Sequence, residues 1–189
     1  MSAVDRLFAH SLIVVTGKGG VGKSTVAAAL GRAADQRGLR TIVVEVAARD
    51  DLSHALGASA AAGAYAEQAV SDRLHHISID PQRAMEEYLR QQVPLGPLAS
   101  LLARSRIFTA PSAATPGMRE LLTIGKVWEL AQHQRRTRGS QPYDLVVLDA
   151  PATGHGLAML QAPGTFAAVA RVGPVASQGR AVASFLSDP

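Results

Sequence analysis

Eight residues constrain this chain more than any others: Gly17-Lys18-Gly19-Gly20-Val21-Gly22-Lys23-Ser24. Ahead of them lies Ser11–Thr16 (SLIVVT), an apolar, β-branched run that predicts a buried strand. Behind them, from Ser24 to about Gln36, an Ala-rich stretch has helical spacing, and Gly38 is placed to stop it. Leu39–Val46 (LRTIVVEV) then reads as a second strand rich in Val and Ile. Strand, glycine turn, helix and strand make a βαβ unit, and such a unit favours a parallel sheet.

The eight residues satisfy G-x-x-x-x-G-K-[ST] through Gly17, Gly22, Lys23 and Ser24. Glycines let consecutive backbone N–H groups converge on a phosphate, and the N-terminus of the following helix adds a favourable dipole. Lys23 is expected to reach the β- and γ-phosphates of a nucleoside triphosphate, and the Ser24 hydroxyl to hold Mg²⁺. The nucleotide contacts expected here are Gly17, Lys18, Gly19, Gly20, Val21, Gly22, Lys23, Ser24 and Thr25. A glycine-rich turn with no ligand is the bland alternative; the strand before it and the helix after it favour the phosphate loop. Lys18 stands where the pattern accepts any residue. It is either a solvated loop lysine or a second cation for the phosphates, including those of a facing subunit.

Further along, Leu74–Ile79 (LHHISI) predicts a third strand, and Pro81 suits the first turn of a helix reaching about Gln92. Pro94–Pro116 reads as a helical hairpin with irregular joints, Gly117–Gln134 as a longer helix, and Gly139–Pro142 as a break. Leu145–Leu148 is a strand that delivers Asp149. A carboxylate at the C-terminal edge of a parallel sheet, beside a phosphate loop, is where a Mg²⁺-linked Asp belongs; a turn or helix-capping Asp is the alternative. Gly154–Leu160 and Thr165–Arg171 read as two short helical pieces. About four strands are visible.

Composition removes several classes. There is no cysteine, hence no disulfide scaffold, thiolate zinc site or cysteine nucleophile. Aromatic residues are only 4% while apolar residues are 47%, so the core must be built largely from Ala, Val and Leu, which suits close helix–sheet packing. The net charge of +4 is scattered, and its one cluster, Arg135-Arg136-Thr137-Arg138, reads as a solvated helix end rather than a nucleic-acid patch. The polar start of the chain predicts no signal peptide, and Leu12–Val15 is too short to span a bilayer. A cytoplasmic protein is expected. His75 and His76 occupy consecutive strand positions, point to opposite faces and make a poor metal pair. Leu121, Ile124, Trp128 and Ala131 share one helical stripe, read first as core and second as a seat for an apolar client.

These residues also carry a resemblance. Lys18–Ser24 resembles the deviant phosphate loop of the signature-lysine ATPases. Asp149-Ala150-Pro151-Ala152-Thr153-Gly154-His155 is similar to the D-T-A-P-T-G-H switch of the arsenical-pump and tail-anchored-protein-targeting ATPases. Ile79-Asp80-Pro81 with Met85-Glu86-Glu87-Tyr88, and Pro116-Gly117-Met118 opening a helix, resemble the same family, so the match extends over nearly the whole chain. The resemblance implies one α/β domain over residues 1–189, with a doubly wound, mostly parallel sheet of the P-loop NTPase type and a helical insertion at about 81–138. It implies a cytoplasmic ATPase that binds ATP and Mg²⁺, holds the metal with Ser24 and Asp149, and works as a dimer. Lys18 would reach into the opposite subunit, Gly154 and its neighbours would move with nucleotide state, and the inserted helices would serve a client or a membrane-associated transporter. No nucleic acid is expected.

Three departures from that family stand out. Its first switch reads D-P-A-H-N, whereas Ala47-Ala48-Arg49-Asp50-Asp51 stands here, so Ala47 replaces the aspartate that orients the attacking water. Asp50 and Asp51, with Lys18 and Lys23, are the catalytic candidates, and helix capping is an equal reading of the two aspartates. The cysteine pair of some members is missing. With few strands before Pro189, a fragment or an unusually short member is expected, lacking the segment that contacts adenine. The leading expectation is an ATPase coupling nucleotide state to dimer and client conformation. Two rivals stay open: a hydrolysis-deficient regulatory subunit paired with a paralogous ATPase, which Ala47 favours, and a division- or partition-type ATPase.

Overall fold

A computed structural model describes residues 3–46, 51–57, 65–92, 117–137, 139–169 and 174–187. In chain order they form α1 (Ala3–Leu7), β1 (Leu12–Val15), α2 (Lys23–Asp35), β2 (Thr41–Val46), α3 (Asp51–Leu56), β3 (Gln68–Ala69), β4 (Leu74–Ile79), α4 (Pro81–Gln92), α5 (Met118–Leu130), β5 (Leu145–Asp149), α6 (Thr153–Val169) and α7 (Pro174–Ser187). The described residues fall into two compact units. One comprises Met1–Ile79 and Val127–Gly156; the other comprises Asp80–Lys126 and Leu157–Pro189.

The first unit contains the whole sheet, in the order β1-β5-β2-β4-β3. Its first four strands are parallel, and the two-residue β3 is an antiparallel edge on β4. The chain is therefore α/β with a mostly parallel sheet. The continuous apolar runs of β2 and β5 follow from burial on both faces. On one face Ile13, Val43, Leu74, Leu145 and Val147 pack with Ala27, Ala28 and Ala34 of α2 and with Leu52 and Leu56 of α3. Ile42, Val44, Val146 and Leu148, which alternate with them, are equally buried.

Small residues bring α2 close to the sheet. A Cβ placed on Gly31 would collide with Val43 Cγ2 and lie 3.2 Å from Leu74 Cδ1. The helix ends as its sequence announces: Gly38 takes φ +81°, its N–H donates to Asp35 O at 2.9 Å, and Leu39 N–H donates to Ala34 O at 3.1 Å. That paired closure satisfies carbonyls which the helix end would otherwise leave open. Arg32 Nη2 donates to Leu56 O at 2.7 Å, tying α3 to the same helix.

Several expectations need correction. The strand over Leu74–Ile79 is the fourth in chain order, because β3 precedes it; two residues are too few to give a periodic signal. The helix read as Gly117–Gln134 stops at Leu130. Beyond it the chain turns so that Arg135 Nε donates to Glu129 Oε1 at 2.9 Å and Arg135 Nη2 to Glu67 Oε1 at 2.5 Å. The Arg135 side chain is only 1% exposed, so that arginine is an internal tie rather than part of a solvated helix end. Burial works against its charge, but the bonds to Glu67 and Glu129 outweigh burial and raise its pKa. Arg138 lies outside the described residues. Tyr143 donates to Glu67 at 2.8 Å, and burial together with that carboxylate pushes its phenol up.

In the second unit, Asp80 Oδ1 accepts from the N–H groups of Gln82 and Arg83 and so caps α4, with Pro81 in the first turn. The two helical pieces expected after Gly154 are a single helix, α6, with Pro163 inside it. α7, which the sequence reading did not anticipate, packs against it at the proline. Gly179 of α7 sits so close that a Cβ there would be 3.1 Å from Pro163 O and 3.4 Å from Ala167 N. The Thr165 hydroxyl donates to Gln161 O at 3.3 Å across the proline. Of the expected stripe, Leu121 and Ile124 are buried here, while in the first unit Ala131 is buried and Trp128 is half-buried under Arg136 at 5.0 Å, which fits core packing. The expected hairpin at 94–116 lies outside the described residues.

Gly31→Ala tests how tightly α2 is seated. Alanine gains about 1 kcal/mol over glycine inside a helix, but overpacking a rigid neighbour typically costs about 1–3 kcal/mol. Urea denaturation should therefore show a net loss of stability. A variant as stable as the parent would mean that Val43 yields freely.

Candidate functional site

The C-terminal edge of the sheet builds the site, and all of its described residues belong to the first unit. β1 runs into the loop at Thr16. Gly20 and Gly22 adopt φ +76° and +89°, a left-handed backbone that a β-carbon would strain. Gly22 is also the N-cap of α2, with no side-chain cap hydrogen bond. There is no acidic residue in the first turn. The first amides of α2 are thus left without a side-chain acceptor, which is the condition for holding an anion. Lys18, Gly19, Gly20, Val21 and Thr25 are exposed, while Lys23 and Ser24 are half-buried. The Lys23 ammonium lies back over the loop and donates to Lys18 O at 3.1 Å.

β5 supplies the second wall. Val15 is in register with Asp149, and Ala150 N–H donates to Val15 O at 2.9 Å. This places Asp149 beside the start of α2, where the Ser24 hydroxyl donates to Asp149 Oδ2 at 2.6 Å across 125 residues of sequence. Asp149 Oδ1 is buried and has no hydrogen-bond partner. A hydroxyl and a carboxylate on adjoining elements, with one oxygen unused, are oxygen donors of the kind that could hold a hydrated divalent cation. Among the described residues no three His, Asp or Glu side chains converge on a common ion position.

The segment after Asp149 is fastened to the loop. Thr153 N–H donates to Gly17 O at 3.2 Å, and Gly156 N–H donates to Ala152 O at 3.0 Å. A Cβ on Gly156 would lie 3.0 Å from Pro151 O and 3.1 Å from Thr16 Oγ1. Gly154 and His155 are exposed at the start of α6. Asp51 opens α3, and its side chain, like Ala47 and Asp50 altogether, lies outside what is described. Sequence reasoning brought together Gly17–Thr25, Asp149 and Gly154. It missed the close approach of Gly156 to Pro151 O and Thr16 Oγ1, which leaves no chemical signature along the chain. It also passed over Glu45, although a charge inside the run TIVVEV is a visible signal. The expected opposition of His75 and His76 is borne out: His75 is half-buried, whereas His76 is buried on the face of Val43. Burial, then the Arg40 guanidinium, hold the His75 imidazole below its usual pKa.

A parallel sheet, a glycine loop opening on a bare helix N-terminus, and a strand-end Asp bonded to the helix serine together define a P-loop nucleotide-binding domain. The chain belongs to the anion-transporting ATPase family, whose model matches residues 10–184. It is 31% identical over 186 residues to ATPase BagA of Mycobacterium tuberculosis H37Rv, covering 96% of this chain and 54% of that protein. It is 30% identical over 159 residues to ATPase GET3C of Arabidopsis thaliana, with 78% of this chain and 40% of that protein covered. ATPase GET3 of Kluyveromyces lactis is 28% identical over 181 residues, covering 88% of this chain and 51% of that protein. The chain thus spans about half the length of the first of these relatives. No helix among the described residues is long and apolar enough to cross a membrane.

Asp149→Asn examines the site without ligand. The amide oxygen can still accept from Ser24, so the loss is the difference between a charged and a neutral hydrogen bond, about 1 kcal/mol. The nucleotide-free variant should unfold within about that margin of the parent in urea. A drop above roughly 3 kcal/mol would make Asp149 a structural anchor instead.

Proposed function

We propose that this chain is a Mg·ATP-binding ATPase domain that couples the state of its nucleotide to a partner. The observation that carries the reading is the 2.6 Å bond from Ser24 to Asp149, with Asp149 Oδ1 left open, beside an uncapped loop–helix junction. Gly17, Lys18, Gly19, Gly20, Val21, Gly22, Lys23, Ser24 and Thr25 would surround the phosphates. Ser24 and Asp149 would hold the cation, which when bound offsets phosphate charge. Lys23 would leave the Lys18 carbonyl for the β- and γ-phosphates, and Gly154 would bring backbone freedom and amides towards the γ-phosphate. Thr153, hydrogen-bonded to Gly17 O, gives loop and switch a shared contact by which one can register a change in the other.

The finer parts of the proposal follow the family. The protein would be cytoplasmic and act as a dimer of identical or paralogous chains, with Lys18 serving the facing nucleotide. The helices at about 81–138 would be an insertion within a single ATPase domain and face a client or a transporter. Asp50 or Asp51 would stand in for the aspartate replaced by Ala47. That replacement also supports a second reading, a subunit weak in hydrolysis that depends on a competent paralogue. Turnover by the purified chain, before and after Ala47→Asp, separates the two: activity that appears only with the aspartate favours the second.

Lys23→Ala should weaken binding of a non-hydrolysable ATP analogue tenfold or more in calorimetry, since a charge-assisted contact is worth about 1.5–3 kcal/mol. Unchanged affinity would reject this loop as the phosphate site. Lys18→Ala should spare binding to the isolated chain and reduce nucleotide-dependent dimerisation. A collapse of binding equal to that of Lys23→Ala would place Lys18 in its own site.

A further inference from the structure

The sheet face that carries Asp149 also carries a buried carboxylate that the P-loop motif does not use. Glu45 lies in register with Asp149 on the neighbouring parallel strand, so the two side chains leave the same face at the same level, on strands about 4.8 Å apart. Glu45 is 2% exposed. Neither of its carboxylate oxygens has a hydrogen-bond partner. The next residue in the same row, Ser78 on β4, has a buried hydroxyl that is also without one. His76, one level down the face, brings Nε2 to 3.5 Å from Glu45 Oε2 without a hydrogen bond, and both of its ring nitrogens are unsatisfied.

Asp149 Oδ1, both oxygens of Glu45 and Ser78 Oγ therefore form a buried row of unused acceptors and donors that begins at the Ser24–Asp149 pair. Leaving one such group unsatisfied costs about 1–3 kcal/mol, and more when it is charged. A fold that concentrates several of them at one level holds something polar there. Among the described residues no three His, Asp or Glu side chains, these included, converge on a common ion position. What fits is water already bound to the cation, whose polarised O–H groups seek anionic acceptors.

We infer that Glu45 is a positioning residue for the divalent cation, its carboxylate accepting hydrogen bonds from cation-bound water beside Asp149. This rests on the phosphate-site reading above and deepens it. It also puts an anionic group two positions before Ala47, at the end of the strand where the family's aspartate would follow. Partners of this outer kind typically change metal affinity by about 10–100-fold when removed.

The test is Glu45→Gln in the full chain, with Mn²⁺ as probe. ADP affinity is measured by calorimetry with divalent ions chelated, and Mn²⁺ affinity of the ADP-loaded protein by its paramagnetic signal. The inference expects ADP affinity without cation to stay within about twofold while Mn²⁺ affinity falls about 10–100-fold. Unchanged Mn²⁺ affinity overturns it. So does a parallel loss of both affinities, which would mark Glu45 as purely structural. Should the glutamine variant not fold, Glu45→Asp keeps the buried charge but retracts it by one methylene. Mn²⁺ affinity should fall there as well, and a parent-like value again overturns the inference. If the parent chain itself binds no ADP with cation present, the phosphate-site reading fails and takes this inference with it. A parent that binds, beside a Glu45→Gln variant that behaves identically, leaves that reading intact and removes only the role of Glu45.

Discussion

The hydrogen bond between Ser24 and Asp149 is the point on which the first unit turns. Its two ends come from elements 125 residues apart, so it exists only if β1 and β5 lie side by side in one register and α2 starts where the loop leaves it. Shifting either strand by one residue would turn Asp149 to the opposite face. The register is carried by the ladder of parallel pairs that joins β1, β5, β2 and β4. α2 approaches because Ala27, Ala28, Gly31 and Ala34 line its inner side. The small-residue bias of the composition is thus a requirement of the site as much as of the core.

The face that carries Asp149 also concentrates buried polar atoms without partners. Core residues around it are almost fully buried, yet Asp149, Glu45, Ser78 and His76 hold polar atoms without partners there. Elsewhere in the first unit Arg135 is held by Glu67 and Glu129, and Tyr143 by Glu67. Ion pairs with complete partners limit the cost of burying charge, whereas incomplete ones persist only where the surrounding packing is strong.

Much of the fold could be read from local signals because those signals have local causes. Gly38 ends α2 since glycine adopts the left-handed turn at no steric cost, and Pro81 with Asp80 starts α4 since one lacks an amide and the other caps two. Where the reading failed, a distant contact had overruled a local rule. Gln161-Ala162-Pro163-Gly164 looked like a break, but α7 packs its Gly179 against that turn and α6 continues through it. Arg135 looked solvated, but two carboxylates draw it inside. The edge strand β3 is made by pairing with β4 rather than by any pattern of its own.

By itself the sequence determined the phosphate loop, the βαβ frame around it and the residue types at its centre. A glycine-rich turn between a β-branched strand and an Ala-rich helix has few other conformations, and Lys23 and Ser24 follow from the same spacing. Tertiary structure alone decided which distant groups meet there. Strand order and register are set by packing over the whole sheet, and they bring Asp149 to Ser24 and set Glu45 beside Asp149. Along the chain Glu45 is one charge in an apolar strand. Only the parallel pairing of β2 with β5 makes it a neighbour of the site, because adjacency across a sheet is fixed by hydrogen-bond register and has no counterpart in sequence distance.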